Sequence, residues 1–264
     1  MSDIRYIKLP NRGLLRVSGD EAESFLQSLV SNDVSKAAAD RGVYATLLTP
    51  QGKFLHDFFV VRDTDGFLLD CEADRLDDLK RRLTMYKLRS KVDLADETDR
   101  WSVIALLSGE LDGAFQFIDP RNPALGARAI IDADRQIDGD EAPLADYEAL
   151  RISMGVPDGS RDIEVEKSFL LEHRMDELNA IDFKKGCYVG QELTARTKYR
   201  GNVRKKLNVV QIDGALPEVG TPVLVNGIEI GTIRTGHGDK ALAMLRVNYP
   251  EGELEAGDTR IRPI

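Results

Sequence analysis

Apolar and polar positions follow several distinct rhythms along this chain, and each rhythm predicts an element. Residues 4–18, "IRYIKLPNRGLLRVS", alternate over two short runs and are expected to form two strands with "NRG" as the turn between them. In "SGDEAESFLQSLVSNDV" the spacing becomes helical. Phe25, Leu26, Leu29 and Val30 form the apolar stripe, and Ser18 or Asp20 serves as N-cap. "GVYATLLTPQGKFLHDFFVVRDTDGFLLDCEA" reads as two or three strands broken by "PQG" and "TDG", an antiparallel meander. "DRLDDLKRRLTMYKLRSKV" is amphipathic, with Leu76, Leu79, Leu83 and Tyr86 facing inward.

A second strand-rich portion opens at "WSVIALLSG". The acidic "DADRQIDGDEAP" is expected to be an exposed loop, and "LADYEALRISMGVP" a helix stopped by Gly155 and Pro157. From Arg204 onward the rhythm is of short strands with glycine turns at regular spacing, the pattern of a small β-barrel. The expected fold class is α+β with three lobes: 1–100, 101–203 and an all-β 204–264, with the first two lobes free to interleave in sequence.

Composition narrows this picture only modestly. The 264 residues are 42% hydrophobic and 31% charged, an ordinary globular balance with ample material for buried cores. No apolar run is long enough to span a bilayer, and "MSDIRYIKLP" has neither a signal-peptide core nor an arginine-rich transit pattern. A cytoplasmic protein with no membrane partner is expected. Two cysteines, Cys71 and Cys187, make no disulfide framework and no metal clip, which fits a reducing compartment. The net charge of −9 argues against direct nucleic-acid binding. Between Lys184 and Lys206, however, eight basic residues face a single acid, Glu192. That run is either a solvated face or an anion site.

Several chemistries are missing. There is no Walker loop, no Gly-x-Ser-x-Gly elbow and no His-x-x-x-His pair. His56, His173 and His237 stand far apart and read as packing or surface residues. No metal ligand set is expected, and two thiols in one copy are too few for a permanent iron–sulfur cluster. Cys71, at the end of an apolar strand, reads as a buried inert thiol. Cys187, in "DFKKGCYVGQELTARTKYRG", differs. If a helix runs from there, its N-terminal field and the neighbouring Lys184 and Lys185 favour thiolate and lower the pKa. A thiol that simply packs at a helix start is the other reading.

"KGCYVGQE" resembles the signature of the YgfZ-type folate-binding proteins, relatives of the glycine-cleavage T-protein (aminomethyltransferase). "LVSNDVS", "LLTPQGKFLHDFFV" and "YEALRISMGVPDGSRDI" are similar to further segments of that superfamily, so the resemblance covers nearly the whole chain. It implies a T-protein-like three-lobed cloverleaf: two α/β lobes of antiparallel sheet plus helices, and a C-terminal barrel, around an opening where tetrahydrofolate binds. It implies a folate-binding accessory factor in the assembly or repair of iron–sulfur clusters, especially four-iron clusters. Its partners would be assembly proteins and cluster-dependent client enzymes, such as those that thiolate tRNA, and a monomer is expected.

On that reading Cys187 is the working thiolate beside Lys185. Tyr188, Gln191 and Glu192 match the motif directly and are expected, with Asp57 and Asp162, to be pterin or folate contacts. Arg196 opens the basic stretch that would receive the folate's anionic tail. Turn capping is an equal alternative for both aspartates. The T-protein has paired acids where this chain reads His56-Asp57, which counts against the alternative activity, an aminomethyl or one-carbon transfer to tetrahydrofolate.

Overall fold

The computed structural model describes residues 3–201 and 203–264. In chain order, β1 is Arg5–Lys8, β2 Arg12–Ser18, α1 Ala22–Leu29, β3 Val43–Leu48, β4 Phe54–Asp63, β5 Gly66–Glu72, α2 Leu76–Lys87 and β6 Asp93–Asp96. There follow β7 Trp101–Ser108, β8 Phe115–Ile118, β9 Ala127–Asp132, β10 Asp140–Glu141, α3 Leu144–Ser153, α4 Gly159–Asp162 and α5 Gln191–Arg200. The last portion holds β11 Lys205–Asp213, β12 Pro222–Val225, β13 Ile228–His237, β14 Lys240–Arg246, β15 Leu254–Ala256 and β16 Thr259–Pro263.

The strands make two five-stranded sheets, ordered β3-β4-β5-β2-β6 and β10-β1-β7-β9-β8, and a closed barrel ordered β11-β14-β13-β12-β15-β16. The two N-terminal strands do not form the expected hairpin. β1 pairs with β7 and β10 in the second sheet, whereas β2 pairs with β5 and β6 in the first. "LPNR" is therefore a crossing between sheets. The first two lobes interleave through it, and the boundary at residue 100 leaves β1 on the wrong side.

Strand alternation divides the core. One face of the first sheet (Leu15, Val17, Val43, Phe58, Val60, Leu69) is covered by α1 through Phe25, Leu26 and Leu29, and by α2 through Leu76, Leu79 and Leu83. Its other face (Leu14, Tyr44, Phe54, Phe59, Leu68) packs against the second sheet's Ile7, Val103, Ala105, Phe117 and Ile130. Tyr86 is 37% exposed and lies outside the α2 stripe that the sequence assigned it. Neither Ser18 nor Asp20 caps α1: its N-cap is Glu21, with no side-chain hydrogen bond, and Phe25 N–H donates to the Glu21 carbonyl. The barrel has its own core of Val210, Val223, Ile230, Ile233, Ala243 and Leu245. It meets α3 where Ile152 packs on Leu207, Val209 and Leu242.

Candidate functional site

Where the two sheets face each other, the apolar core gives way to a buried ionic layer. Asp70 on β5 accepts from Arg12 Nε at 2.6 Å and from Arg128 Nη2 at 2.6 Å, so β2, β5 and β9 meet at one carboxylate. Arg121 donates to Asp119 at 2.7 Å and to the Tyr147 hydroxyl at 2.7 Å, and Arg128 reaches the same hydroxyl at 3.2 Å. Arg128 and Arg121 lie 4.1 and 4.8 Å from the Phe59 ring centroid. Burial pushes the Asp70 carboxyl up, but Arg12 and Arg128 outweigh it and hold Asp70 below the usual range.

Asp57, on β4, adjoins this layer. Its Oδ2 accepts the Tyr44 hydroxyl at 2.7 Å, while its Oδ1 is buried with no hydrogen-bond partner. Burial raises its pKa, against the pull of Arg12. The α4 turn closes over it. Ser160 N–H and hydroxyl both donate to Glu72, at 2.8 and 2.6 Å. A Cβ on Gly159 (φ +45°) would stand 2.2 Å from Glu72 Oε1 and 2.9 Å from Asp57 Oδ1, so only glycine fits there. His56, one residue earlier, projects from the opposite face of β4 and bonds Asp78 of α2 at 2.9 Å. The position that reads histidine instead of a second acid therefore does not face Asp57.

Asp162 is fully engaged. It accepts from Arg151 Nη1 at 3.0 Å, Asp158 N–H at 2.8 Å, Thr235 N–H at 2.9 Å and Thr235 Oγ1 at 2.7 Å. It ties α3 and α4 to barrel strand β13, a turn-capping and docking role.

The Cys187 segment lies elsewhere. Asp182 Oδ1 accepts the Lys184 and Lys185 backbone N–H groups at 2.7 and 3.2 Å, and its Oδ2 accepts from Lys36 at 2.5 Å. Lys185 Nζ donates to the carbonyls of Val30 at 2.6 Å and Asn32 at 2.8 Å. Ser31 hydroxyl donates to the Ala180 carbonyl at 2.6 Å. "LVSNDVS" is thus the seat of the "KKGCY" loop. The "TPQG" hairpin turn completes it, because a Cβ on Gly190 would lie 3.0 Å from Gly52 Cα and 2.7 Å from the Thr49 carbonyl oxygen. Two neighbouring segments of the first lobe and a loop more than 130 positions later converge here. Cys187 stands exposed on this loop, and Gly186 has no neighbour within 4 Å of a built Cβ.

Two expectations about this loop change. α5 begins at Gln191, after Gly190 at φ +81°, so Cys187 stands four positions ahead of the helix instead of in its first turn. Lys185 is buried, its Nζ is committed to two carbonyls, and burial brings its pKa down to about 8. It positions the loop and is not a free charge for the thiol. Tyr188 packs in the core with Lys185 5.3 Å from its ring centroid. Gln191, Glu192 and Arg196 lie on α5, and Glu192 and Arg196 line an open cleft of about 670 Å³ with Tyr199 and Arg200. The candidate residues therefore fall in three places: the inter-sheet layer, the barrel junction and the loop with α5. Among the described residues no three His, Cys, Asp or Glu side chains gather as a metal site. Cys71 is buried, as expected, and burial pushes its pKa up to about 12.

Sequence reading missed the ionic layer: Arg12, Asp70, Asp119, Arg121 and Arg128. The signal was present as a charge inside an apolar strand pattern, Asp70 in "FLLDC" and Arg128 in "ARAII".

These features define a T-protein-like α+β fold. The aminomethyltransferase T structure from Bartonella henselae superposes with a TM-score of 0.77, covering 100% of this chain and 85% of that one at 15% identity. The family model of the GCVT N-terminal domain matches residues 9–109, and that of the CAF17 C-terminal beta-barrel domain matches 204–264. The chain is 33% identical to "iron-sulfur cluster assembly factor IBA57, mitochondrial" of mouse, over 94% of this chain and 79% of that protein. The human protein of the same name matches at the same identity and coverage. The Neurospora crassa homolog is 35% identical, and the match takes in 80% of this chain and 55% of that longer protein. The chain belongs to the IBA57 family of T-protein-related proteins. The cytoplasmic expectation is corrected at this point, because these relatives are all named as mitochondrial.

Proposed function

We propose that this chain is an iron–sulfur cluster assembly factor of the YgfZ-like type, with Cys187 as its working thiol. The observation that carries the reading is a single exposed thiol, held on a loop stapled at Asp182 and Lys185, in a chain whose relatives bear that assembly role in their names. Cys71 is sealed, so one copy offers one thiolate to iron. A cluster with four thiolate ligands then draws the other three from elsewhere, which makes the cluster a cargo shared with an assembly protein or client enzyme. Four-iron clients, including enzymes that thiolate tRNA, fit this reading, and the chain acts on them as a monomer.

Tetrahydrofolate belongs to the same proposal through one residue. Asp57 Oδ1 is a buried acceptor with nothing to accept from, a state that costs about 1–3 kcal/mol unless a donor supplies the bond. The N–H edge of a reduced pterin is such a donor, reaching Oδ1 once the α4 turn at Gly159 lifts from it; the cations beside Arg196 belong to a separate cleft on α5. Asp162 has its acceptors filled and is left out of the folate contacts. Reduced folate, when bound, carries one-carbon units; the chain's own part is to present a carboxylate at the pterin edge.

The test is a replacement strain carrying only Cys187→Ser. Cluster-dependent enzyme activities are expected to fall severalfold while the variant's melting temperature stays unchanged. Full activity in that strain would remove the thiol from the mechanism. Calorimetric titration with tetrahydrofolate separates the folate part. Binding that weakens at least tenfold in Asp57→Asn supports it, and no heat in the parent chain abandons it while leaving the thiol reading intact.

A further inference from the structure

Basic charge is concentrated in a second place. From Lys80 to Lys91 the chain carries six basic residues and no acid, a local +6 that leaves −15 for the rest. This run is the C-terminal half of α2 and the turn beyond it. Its apolar residues divide sharply. Leu83 is buried under the first sheet, whereas Met85 is 66% and Leu88 88% exposed, with Tyr86 at 37%. Leu88 is the most exposed large apolar side chain among the described residues.

The backbone holds it there. Leu88 ends α2 at φ +45° and ψ −103°, a conformation that suits glycine and is strained for leucine. Arg81 pairs with Asp78 and leans on Met85 Sδ at 3.8 Å. Arg82 pairs with Asp78 and Glu166, and Lys87 meets Asp93 at 3.4 Å. Lys80, Arg89 and Lys91 have no carboxylate partner for their side chains among the described residues. Nearby acids include Asp77, one helical turn before Lys80, Glu21, which accepts the Lys91 backbone N–H at 2.9 Å, and Asp93. They leave the surface strongly positive.

We propose that this end of α2 docks on an anionic lipid bilayer. Leu88 and Met85 enter the boundary between headgroups and acyl chains, while Lys80, Arg89 and Lys91 meet lipid phosphates. Three features select a bilayer over a protein groove. The apolar residues form a projecting tip. Long cationic side chains flank that tip and can keep their heads in the headgroup layer. The remaining −15 charge is repelled by an anionic surface, and of the two basic runs only this one carries the projecting Leu88 and Met85 tip, which sets the orientation. Among the described residues no helix is long and apolar enough to cross a membrane, and the proposed contact is a peripheral one. This proposal goes against the sequence expectation of no membrane partner, and it does not depend on Cys187 or folate.

The experiment is co-sedimentation of the full chain with vesicles of phosphatidylcholine alone and of phosphatidylcholine mixed with phosphatidylglycerol, at low and high salt. Binding is expected only to the mixed vesicles, and salt should weaken it. Arg89→Glu is expected to lower partition about fivefold or more, the scale of one to two charges at an anionic leaflet. Leu88→Gly is the sharper variant. It relaxes the strained φ, so its melting temperature should hold or rise while vesicle binding falls. No binding at low salt, or binding indifferent to Leu88→Gly, overturns the proposal. So does Leu88-dependent binding to soluble polyglutamate without binding to vesicles, which would assign the surface to an acidic protein.

Discussion

Asp70 and Asp119 are 0% and 1% exposed and share three arginines drawn from both sheets, so charge there is fixed on every side. The Cys187 loop is also held by charged groups, Lys36, Asp182 and Lys185, but those groups grip only its base and leave the sulfur in solvent. In the layer, ion pairs define how two sheets fit together. In the loop they hold one thiol out of the packing. The difference teaches that a charged residue in this fold serves position in both places, and that the Cys187 thiol and Asp57 Oδ1, to which the proposal gives the chemistry, are groups with unspent capacity.

The largest expected effect breaks the layer. Arg128→Met leaves Asp70 with one arginine instead of two and removes a donor to Tyr147. Breaking such a buried pair costs about 3–5 kcal/mol because a desolvated charge is left underpaired. Urea denaturation should show the unfolding free energy falling by that amount, with the midpoint moving to lower urea. A loss under about 1 kcal/mol would mean that the sheets are held by their apolar contacts alone.

An intermediate effect comes from acid. His56 and His173 are buried, and burial, helped by neighbouring arginines, lowers their pKa from the ordinary 6.5 to about 4 and about 3. Both rings are neutral in the folded chain, whereas the unfolded chain takes up a proton at each as pH falls through 6.5. Stability is therefore whole above about pH 6.5 and is lost as pH falls toward 3. By pH 5 each ring contributes a loss of about 2 kcal/mol. His173→Leu, at a ring with no hydrogen-bond partner, should flatten the acid limb of stability against pH. An unchanged limb would show that His173 titrates at its ordinary value in the folded chain.

How much of this was legible in the sequence depends on whether the signal was local. The meander, the α1 and α2 stripes and the barrel were readable because strand and helix periods are written in neighbouring residues. The separation of β1 from β2 was not, because "NRG" permits a hairpin turn and a crossing equally well, and only pairing with β7, nearly a hundred residues on, decides between them. The motif showed which residues matter around Cys187 but not their roles. Lys185 looked like a charge beside a thiol, and its carbonyl partners lie at Val30 and Asn32, more than 150 positions away. Asp57 and Asp162 were alike on paper. Only their packing separates the carboxylate with a free oxygen from the one with none.

The smallest expected effect sharpens the contrast most. Cys187→Ser changes an exposed side chain, so the unfolding free energy should change by no more than about 0.5 kcal/mol. Cys71→Ser puts a hydroxyl into a site that is 1% exposed, between Phe58 of β4 and Gly13 of β2 in the pairing, where the thiol donates only weakly to the Gly13 carbonyl at 3.6 Å. That change should cost about 1–3 kcal/mol. A thiol reagent added to the native parent chain should label Cys187 at once and Cys71 only after denaturant opens the first sheet. Equal labelling of both thiols in the native chain would mean that the sheet opens on the reagent's timescale, and the division between a rigid frame and a presented sulfur would then be lost.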